Sequence, residues 1–241
     1  MSAKTSGIHF STLLVLCCVL AADVMTAFAQ SNISPADKWS WSENTGWTNW
    51  FDPGAPGAGG AKIDDYVLEG FIWNENLGWL FLGSGSPTSG SYYSNASTVD
   101  TGVNIAANGD LWGFAWGENI GWVNFDTIST AGPLHARVEM CCSGARLHGY
   151  AWGENIGWIN LDDPVSFVAL GPGVAQAKAD LNADTARDGL DVEGFLGVYF
   201  SPSTASAAHF CAADMDSDGT ISVADLDAFV ICLLYGTCGC S

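Results

Sequence analysis

A seven-residue motif, W-x-E-N-x-G-W, is the feature that most constrains the fold of this chain, because it occurs four times in the first two thirds of the sequence. Internal repetition indicates one supersecondary unit used several times, since such a unit cannot bury its own apolar face alone. The copies begin at Trp41, Trp73, Trp116 and Trp152 and end at Trp47, Trp79, Trp122 and Trp158.

Each motif is predicted to be the loop of a β-hairpin. Short aromatic and β-branched segments in partial alternation flank it, for example 111–116 and 122–125 around the third copy, and this pattern is typical of strands. Asn tolerates positive φ and Gly adopts it freely, so E-N-x-G suits a turn. Closing the turn places two tryptophans opposite each other, where an aromatic pair adds about 0.5–1.5 kcal/mol.

A further strand is predicted ahead of two of these hairpins. Residues 103–107 lead through Asn108-Gly109, a strong hairpin signal, and residues 137–140 lead through the turn at Cys141-Cys142. Each unit is therefore expected to be a three-stranded antiparallel meander. Because one such sheet buries too little by itself, the copies are expected to pack together into an all-β body.

The motif also carries side chains with possible chemistry. Its glutamates could form catalytic carboxylate pairs, but an active site is usually single, so turn residues are the favoured interpretation. The tryptophans could form a platform for sugar rings, although buried cross-strand pairs are favoured. The glutamates are Glu43, Glu75, Glu118 and Glu154.

The N-terminus has the pattern of a signal peptide. Lys4 precedes an apolar run over 13–22, and Ala27-Phe28-Ala29 is a small-x-small cleavage site. A retained membrane anchor is the alternative, but Asp23 interrupts the run before the roughly 20 apolar residues that span a bilayer. The chain is therefore expected to be secreted, extracellular or at the cell surface, after cleavage near Ala29, with no membrane span in the mature part.

Charge limits the partners that this chain can bind. The sequence has 26 acidic and 7 basic residues and a formal net charge of -19. Nucleic acid and anionic lipid are poor partners for such a surface, whereas cations are good ones. Charged residues make up only 14% of the chain and hydrophobic residues 48%, so a folded protein is expected rather than a disordered one.

An exported chain favours disulfides over free thiols, and the part beyond the leader has an even number of cysteines. Their connectivity cannot be deduced from spacing. A metal site formed by His135, His148 and the Cys141-Cys142 turn is a weaker alternative to a disulfide there, either vicinal or to a distant cysteine. The disulfide candidates are Cys141, Cys142, Cys211, Cys232, Cys238 and Cys240.

Residues 214–225 have the pattern of a calcium-binding loop. Ca²⁺ prefers six to eight oxygen ligands, and acids alternating around a tight turn point such oxygens inward. Gly219 permits the sharp turn at loop position 6, and a helix with apolar residues at helical spacing is predicted to follow. The predicted ligands are Asp214, Asp216, Asp218, Thr220 through its backbone carbonyl, and Asp225.

Residues 180–191 repeat this pattern less well. Thr185 stands at position 6 in place of glycine, and Arg187 at position 8 is expected to place a positive charge beside the metal. The predicted ligands are Asp180, Asn182, Asp184, Asp188 and Asp191.

Two such loop-helix units, without the entering helix of a full EF-hand and with Asp at position 12, resemble a type I dockerin domain over residues 178–241. The resemblance implies a fold around two Ca²⁺ ions and docking to a cohesin module, although Gly189-Leu190 and Val223-Ala224 lack the hydroxyl pair often found at positions 10 and 11. The cysteines framing the second loop are similar to those of dockerin-like tails in planctomycete-type bacteria. The tryptophan motifs resemble repeats in uncharacterised bacterial surface proteins.

The sequence thus predicts a multi-domain chain with a signal peptide at 1–29, a tryptophan-rich all-β repeat domain at 30–172, and a small α-helical dockerin-like domain at 173–241. A calcium-binding structural or binding protein with no catalytic activity is the favoured function. The alternative is a carbohydrate-binding or cohesin-docking accessory of a polysaccharide-degrading system, with a cohesin-like module or a surface glycan as partner. An enzyme with a site in the β body is a further, less favoured alternative.

Overall fold

The computed structural model of this chain describes residues 30–54, 59–142 and 144–239. The predicted signal peptide and Cys240 lie outside these ranges. Within them, no helix is both long and apolar enough to cross a bilayer.

Eight antiparallel strands close into a barrel, and each tryptophan motif forms the loop of one hairpin in it. The four hairpins are β1–β2, β4–β5, β7–β8 and β11–β12, which pair edge to edge. Trp41 of β1 pairs with Asn160 of β12 and so closes the ring. The strands are β1 (Ile33–Ser42), β2 (Gly46–Asn49), β3 (Ala61–Ile63), β4 (Leu68–Asn74), β5 (Gly78–Gly83), β6 (Val103–Ile105), β7 (Leu111–Gly117), β8 (Gly121–Asn124), β9 (Arg137–Glu139), β10 (Arg146–His148), β11 (Tyr150–Gly153), β12 (Gly157–Asn160) and β13 (Val168–Leu170).

The expected packing of separate three-stranded meanders is wrong. The local pairings β6–β7 and β9–β10 are present, but β3 pairs with the first residues of β4, and β6 pairs with the first residues of β7. The later residues of β4 and β7 belong to the barrel. Each hairpin has two edges of unpaired backbone groups, and joining the hairpins into a ring satisfies both edges without stacking one sheet on another.

Alternation along the barrel strands next to the motifs separates an interior of small, mostly apolar residues from an aromatic exterior. In β7 the interior positions include Ala115, which has no exposed area, while its neighbour Trp116 is 42% exposed. Ile72, Val123 and Ala151 are the buried equivalents in β4, β8 and β11, and Ser40 and Thr48 take these positions in the first hairpin. The interior of an eight-stranded barrel is just wide enough for side chains to fill, and these buried residues form its core.

The paired tryptophans lie on the outside of the barrel, so the favoured interpretation of buried pairs is wrong. Their predicted cross-strand pairing is confirmed, because Trp41 faces Trp47 and Trp116 faces Trp122, each with ring centroids 4.5 Å apart. Both tryptophans of a hairpin share one face, and that face is the exterior because the alternate residues fill the interior. Five of these rings, on Trp47, Trp116, Trp122, Trp152 and Trp158, are 39% to 44% exposed.

The motif asparagines join the four hairpins into a closed ring of hydrogen bonds at one end of the barrel. The side-chain amide of each asparagine donates to a backbone carbonyl in the loop of a neighbouring hairpin. The accepting residue is the one that follows the asparagine of that neighbouring loop. The bonds run from Asn44 to Ile156 (2.9 Å), Asn155 to Ile120 (2.9 Å), Asn119 to Leu77 (2.8 Å) and Asn76 to Thr45 (3.0 Å).

Replacement of one ring member tests this role. We expect Asn76→Ala to lower the free energy of unfolding of the barrel by about 1 kcal/mol, because one intramolecular hydrogen bond is lost. The neighbouring exposed Glu75 is the matched control, and Glu75→Ala should change the free energy by less than about 0.5 kcal/mol. Urea unfolding followed by tryptophan fluorescence measures both, and equal losses would contradict the ring.

Four α-helices are described, and three of them follow the barrel to form the C-terminal tail. They are α1 (Ile128–Ala131), α2 (Asp191–Phe200), α3 (Ala207–Ala213) and α4 (Val223–Tyr235). The tail has its own core, in which Phe195 of α2 stacks on Phe229 of α4 with ring centroids 4.1 Å apart. Ala107 of the barrel domain contributes to this core. The tail therefore rests against the barrel rather than standing free of it.

A disulfide between Cys141 and Cys211 links the barrel domain to α3 across a sequence separation of 70 residues. The vicinal alternative at Cys141 is therefore wrong. A second disulfide, between Cys232 and Cys238, ties the end of α4 to the residues after it. Cys142 is also disulfide-bonded.

Candidate metal centre

The two acidic loops precede α2 and α4, as the sequence predicted. In each loop the first and last acids are buried, and the ligand candidates between them are exposed. Buried carboxylates without a partner are costly, so such acids are expected to be hydrogen-bonded or to bind a cation. The buried acids are Asp180 and Asp191 in the first loop and Asp214 and Asp225 in the second.

Carboxylate oxygens of Asp214, Asp216 and Asp218 lie within 4.8 Å of one another in the second loop. Gly219 adopts a φ of +82°, and its amide donates to Asp214 Oδ2 at 3.0 Å. This bond folds the loop back on its first residue. The turn therefore collects three carboxylates around one point, as a hard cation requires.

Asp225 joins the two ends of the second loop. It is fully buried, and its Oδ1 accepts from the Met215 amide at 2.7 Å while its Oδ2 accepts from the Ser222 amide at 2.8 Å. Ser222 in turn caps α4 by accepting from the Ala224 amide. Carboxylate oxygens have about four lone-pair sites, so Asp225 can hold the loop and still offer an oxygen to a metal.

Burial raises the pKa of the Asp214 carboxyl above its ordinary value, against the opposing effects of the Gly219 amide and the Lys178 charge. The exposed Asp218 differs, because the Thr220 hydroxyl donates to its Oδ1 at 2.7 Å and lowers its pKa. The loop therefore contains one carboxylate whose charge is disfavoured by burial, and a bound cation would stabilise that charge.

The first loop reproduces this hydrogen-bond pattern despite its poorer sequence. Thr185 takes the place of the loop glycine with a φ of +71°, and its amide donates to Asp180 Oδ2 at 3.1 Å. Asp191 is fully buried and accepts from the amides of Leu181 and Asp188 at 2.7 and 2.9 Å. A positive φ at a non-glycine residue is uncommon, but Thr185 adopts it here.

Asp180 Oδ1 is the strongest indication that the first loop binds a cation. The side chain is only 4% exposed, and this oxygen has no hydrogen-bond partner among the described residues. The side-chain Oδ1 of Asn182 and the carboxylates of Asp184 and Asp188 accept only from amides within the loop. These acceptors fit Ca²⁺, which binds carboxylate and amide oxygens alike.

Two basic residues lie beside the loops. Arg187 Nε donates to the Lys178 carbonyl oxygen at 2.9 Å. Lys178 is 3% exposed, and its ammonium donates to the carbonyl oxygens of Cys211 and Asp214 at the end of α3, where a cation complements the helix dipole. The sequence-based prediction missed Lys178, although its position two residues before the first acid, in a chain poor in lysine, was a usable signal.

The alternative metal group around His135 and His148 is not formed in the described part of the chain. His135 Nε2 contacts Asp110 at 2.5 Å, and His148 Nδ1 contacts Asp162 at 2.6 Å. Cys141 and Cys211 lie near Glu139, but their sulfurs form a disulfide and have no thiolate to offer a metal.

Comparison with known proteins adds no assignment to this geometry. No family model matches the chain. A search of curated proteins gave no match, and neither did a search of solved structures.

Proposed function

We propose that this chain is a secreted calcium-binding protein with a structural or binding role and no catalytic activity. In this proposal the dockerin-like tail folds around Ca²⁺, and the barrel is the part that is displayed. The buried, unpartnered Oδ1 of Asp180 is the observation that carries the proposal, because a cation accounts for it. The second loop supports it, since three carboxylates converge there.

Ten residues would hold the two ions: Asp180, Asn182, Asp184, Asp188 and Asp191 in one loop, and Asp214, Asp216, Asp218, Thr220 and Asp225 in the other. A bound Ca²⁺ supplies charge neutralisation for the buried acids. The protein's own residues fix the ends of each loop, so binding is expected to stabilise the starts of α2 and α4. Folding and metal binding are therefore linked.

Changing the first loop tests the proposal. We expect the chain 30–241 to bind about two Ca²⁺ ions. The expected dissociation constants are those of sensor-type loops, about 10⁻⁷–10⁻⁵ M. Asp180→Ala should reduce the number to one. The exposed Asp227 is the matched control, and Asp227→Ala should leave two. Calorimetric titration gives the numbers, and two ions bound by Asp180→Ala would remove the first loop from the proposal.

A docking role is the second candidate function. Apolar side chains are exposed on the tail, including Phe200 at 75%, Leu234 at 69% and Tyr235 at 75%. Exposed large apolar side chains are a feature of interaction surfaces, and their presence favours a protein partner such as a cohesin-like module. The exposed tryptophans of the barrel favour a carbohydrate ligand, in an accessory role for polysaccharide degradation. A pull-down with cohesin modules, with and without a chelator, tests the docking role.

A further inference from the structure

The glutamate is the one fixed residue of the W-x-E-N-x-G-W motif that has no structural role in the fold. The tryptophans pair across the hairpin, the asparagine completes the ring, and the glycine adopts a φ of +77° to +84° in the turn. The glutamates are exposed, and none has a hydrogen bond or ion pair to another described residue. These four repeated, exposed carboxylates are Glu43, Glu75, Glu118 and Glu154.

Glu75 lines a groove on the outer face of the barrel, between the first and second hairpins. Trp39, Trp47 and Trp73 line the same groove, which has a volume of about 520 Å³. Asn49 and Ser166 also line it. Aromatic surface thus alternates with amide, hydroxyl and carboxylate groups, a composition suited to a ligand with both apolar faces and polar edges.

A second groove repeats this arrangement between the third and fourth hairpins. Phe114, Trp122 and Glu154 line it, and its volume is about 470 Å³. These three occupy the same motif positions as Trp39, Trp47 and Glu75. Polar groups here come from a different segment, the loop containing Asn95, Ser97, Thr98 and Thr101. The aromatic-carboxylate combination therefore follows from the repeat, whereas the polar side chains are particular to each groove.

The charge of both grooves favours a cationic ligand. No lysine or arginine lines either groove in the described part of the chain. Lys38, which lies 5.4 Å from the Trp39 ring centroid, is paired with Asp52. The faces of aromatic rings attract cations, and the net charge of -19 adds a long-range attraction for cations.

We propose that these two grooves bind a glycan whose sugar rings carry protonated amino groups. The inference rests on the binding role proposed above for the barrel and specifies its ligand. The pyranose faces pack on the tryptophan and phenylalanine rings, and the ammonium groups pair with Glu75 and Glu154. The asparagine, serine and threonine side chains bond the sugar hydroxyls. A neutral glycan would use the rings but gain nothing from the carboxylates.

Oligosaccharides that differ only in the amine test the proposal. The chain 30–241 is titrated at about pH 6, where an amine with the pKa of an α-amino group is protonated, with a β-1,4-linked glucosamine hexamer, its fully N-acetylated form and the glucose hexamer. We expect saturable binding of the glucosamine hexamer and at least about tenfold weaker binding of the other two. Binding should weaken in high salt.

Isosteric variants separate charge from shape. Glu75→Gln with Glu154→Gln keeps the size and shape of the two side chains and removes their charge. We expect up to about fivefold weaker binding of the glucosamine hexamer at each groove, since each groove loses one exposed ion pair. Glu193→Gln, on the exposed face of α2, is the control and should have no effect. Trp47→Tyr tests the stacking with less risk to the hairpin than Trp47→Ala.

Three results would overturn the proposal: no binding of the glucosamine hexamer, equal binding of the neutral hexamers with no effect of the double variant, or equally tight binding of choline alone. Calcium titration of the same samples keeps the two proposals distinguishable. A chain that binds Ca²⁺ but no amino-glycan refutes only the present inference, and one that binds the glycan but no Ca²⁺ refutes only the calcium proposal.

Discussion

Asp214→Ala is expected to weaken Ca²⁺ binding at the second loop by about 100-fold. Asp214 is buried, and its carboxylate both holds the Gly219 amide and faces Asp216 and Asp218. Removing one partner from a buried charged site costs about 3 kcal/mol, which is roughly two factors of ten in affinity. Asp227→Ala, on the exposed side of α4, is the control.

The structural consequence of Asp214→Ala should be confined to the tail. All eleven tryptophans lie between residues 39 and 158, so their fluorescence follows the barrel, whereas helical circular dichroism follows the tail. At about 100 times the dissociation constant, Ca²⁺ stabilises its site by about 2.7 kcal/mol. The unaltered chain and Asp227→Ala should gain this stability in the helical signal. An equal gain in Asp214→Ala would contradict the assignment of Asp214 as a ligand.

Loss of the Cys141–Cys211 disulfide is expected to be the largest single change in stability. Its sequence separation of 70 residues corresponds to about 4 kcal/mol of loop-closure entropy in the unfolded chain. We expect the pair Cys141→Ser and Cys211→Ser to lower the free energy of unfolding by that amount and to loosen α3 from the barrel. Urea unfolding with saturating Ca²⁺ measures it while metal binding is held constant.

The second disulfide provides the matched control. Cys232 and Cys238 are separated by only 6 residues, so the corresponding double variant should lose about 2 kcal/mol. Equal losses in the two double variants would contradict the view that the first disulfide anchors the tail to the barrel.

The hairpins were predictable because their information is local. The motif places turn residues between two strands, and the cross-strand pairing of Trp41 with Trp47 follows from that spacing alone. Closure of the barrel was not predictable, because it depends on the pairing of Trp41 with Asn160 and on the bond from Asn44 to Ile156, 112 residues apart. The same motif would also have fitted stacked meanders.

The exposure of the tryptophans shows where local pattern misleads. A cross-strand aromatic pair has the same sequence signature whether it faces inward or outward. The deciding residues are their neighbours, such as Ala115 and Ala151, which are small enough for the interior of an eight-stranded barrel. Large rings on the alternate face must then lie outside.

In the candidate metal centre, the sequence predicted the ligand set more readily than its supports. The acids of both loops follow the spacing of an oxygen-rich loop, so they could be listed directly. The left-handed conformation of Thr185 and the burial of Lys178 under the end of α3 depend on tertiary packing. The first loop therefore resembles the second more closely in its hydrogen bonds than in its sequence.

Calorimetric titration of the metal-free chain 30–241 with Ca²⁺ is the most direct test of the calcium proposal. We expect saturable binding of two ions per chain, with a gain in helical circular dichroism as the sites fill. Mg²⁺ should bind more weakly, because it demands near-octahedral geometry and gives up water reluctantly. Absence of saturable Ca²⁺ binding, with an unchanged helical signal, would contradict the proposal.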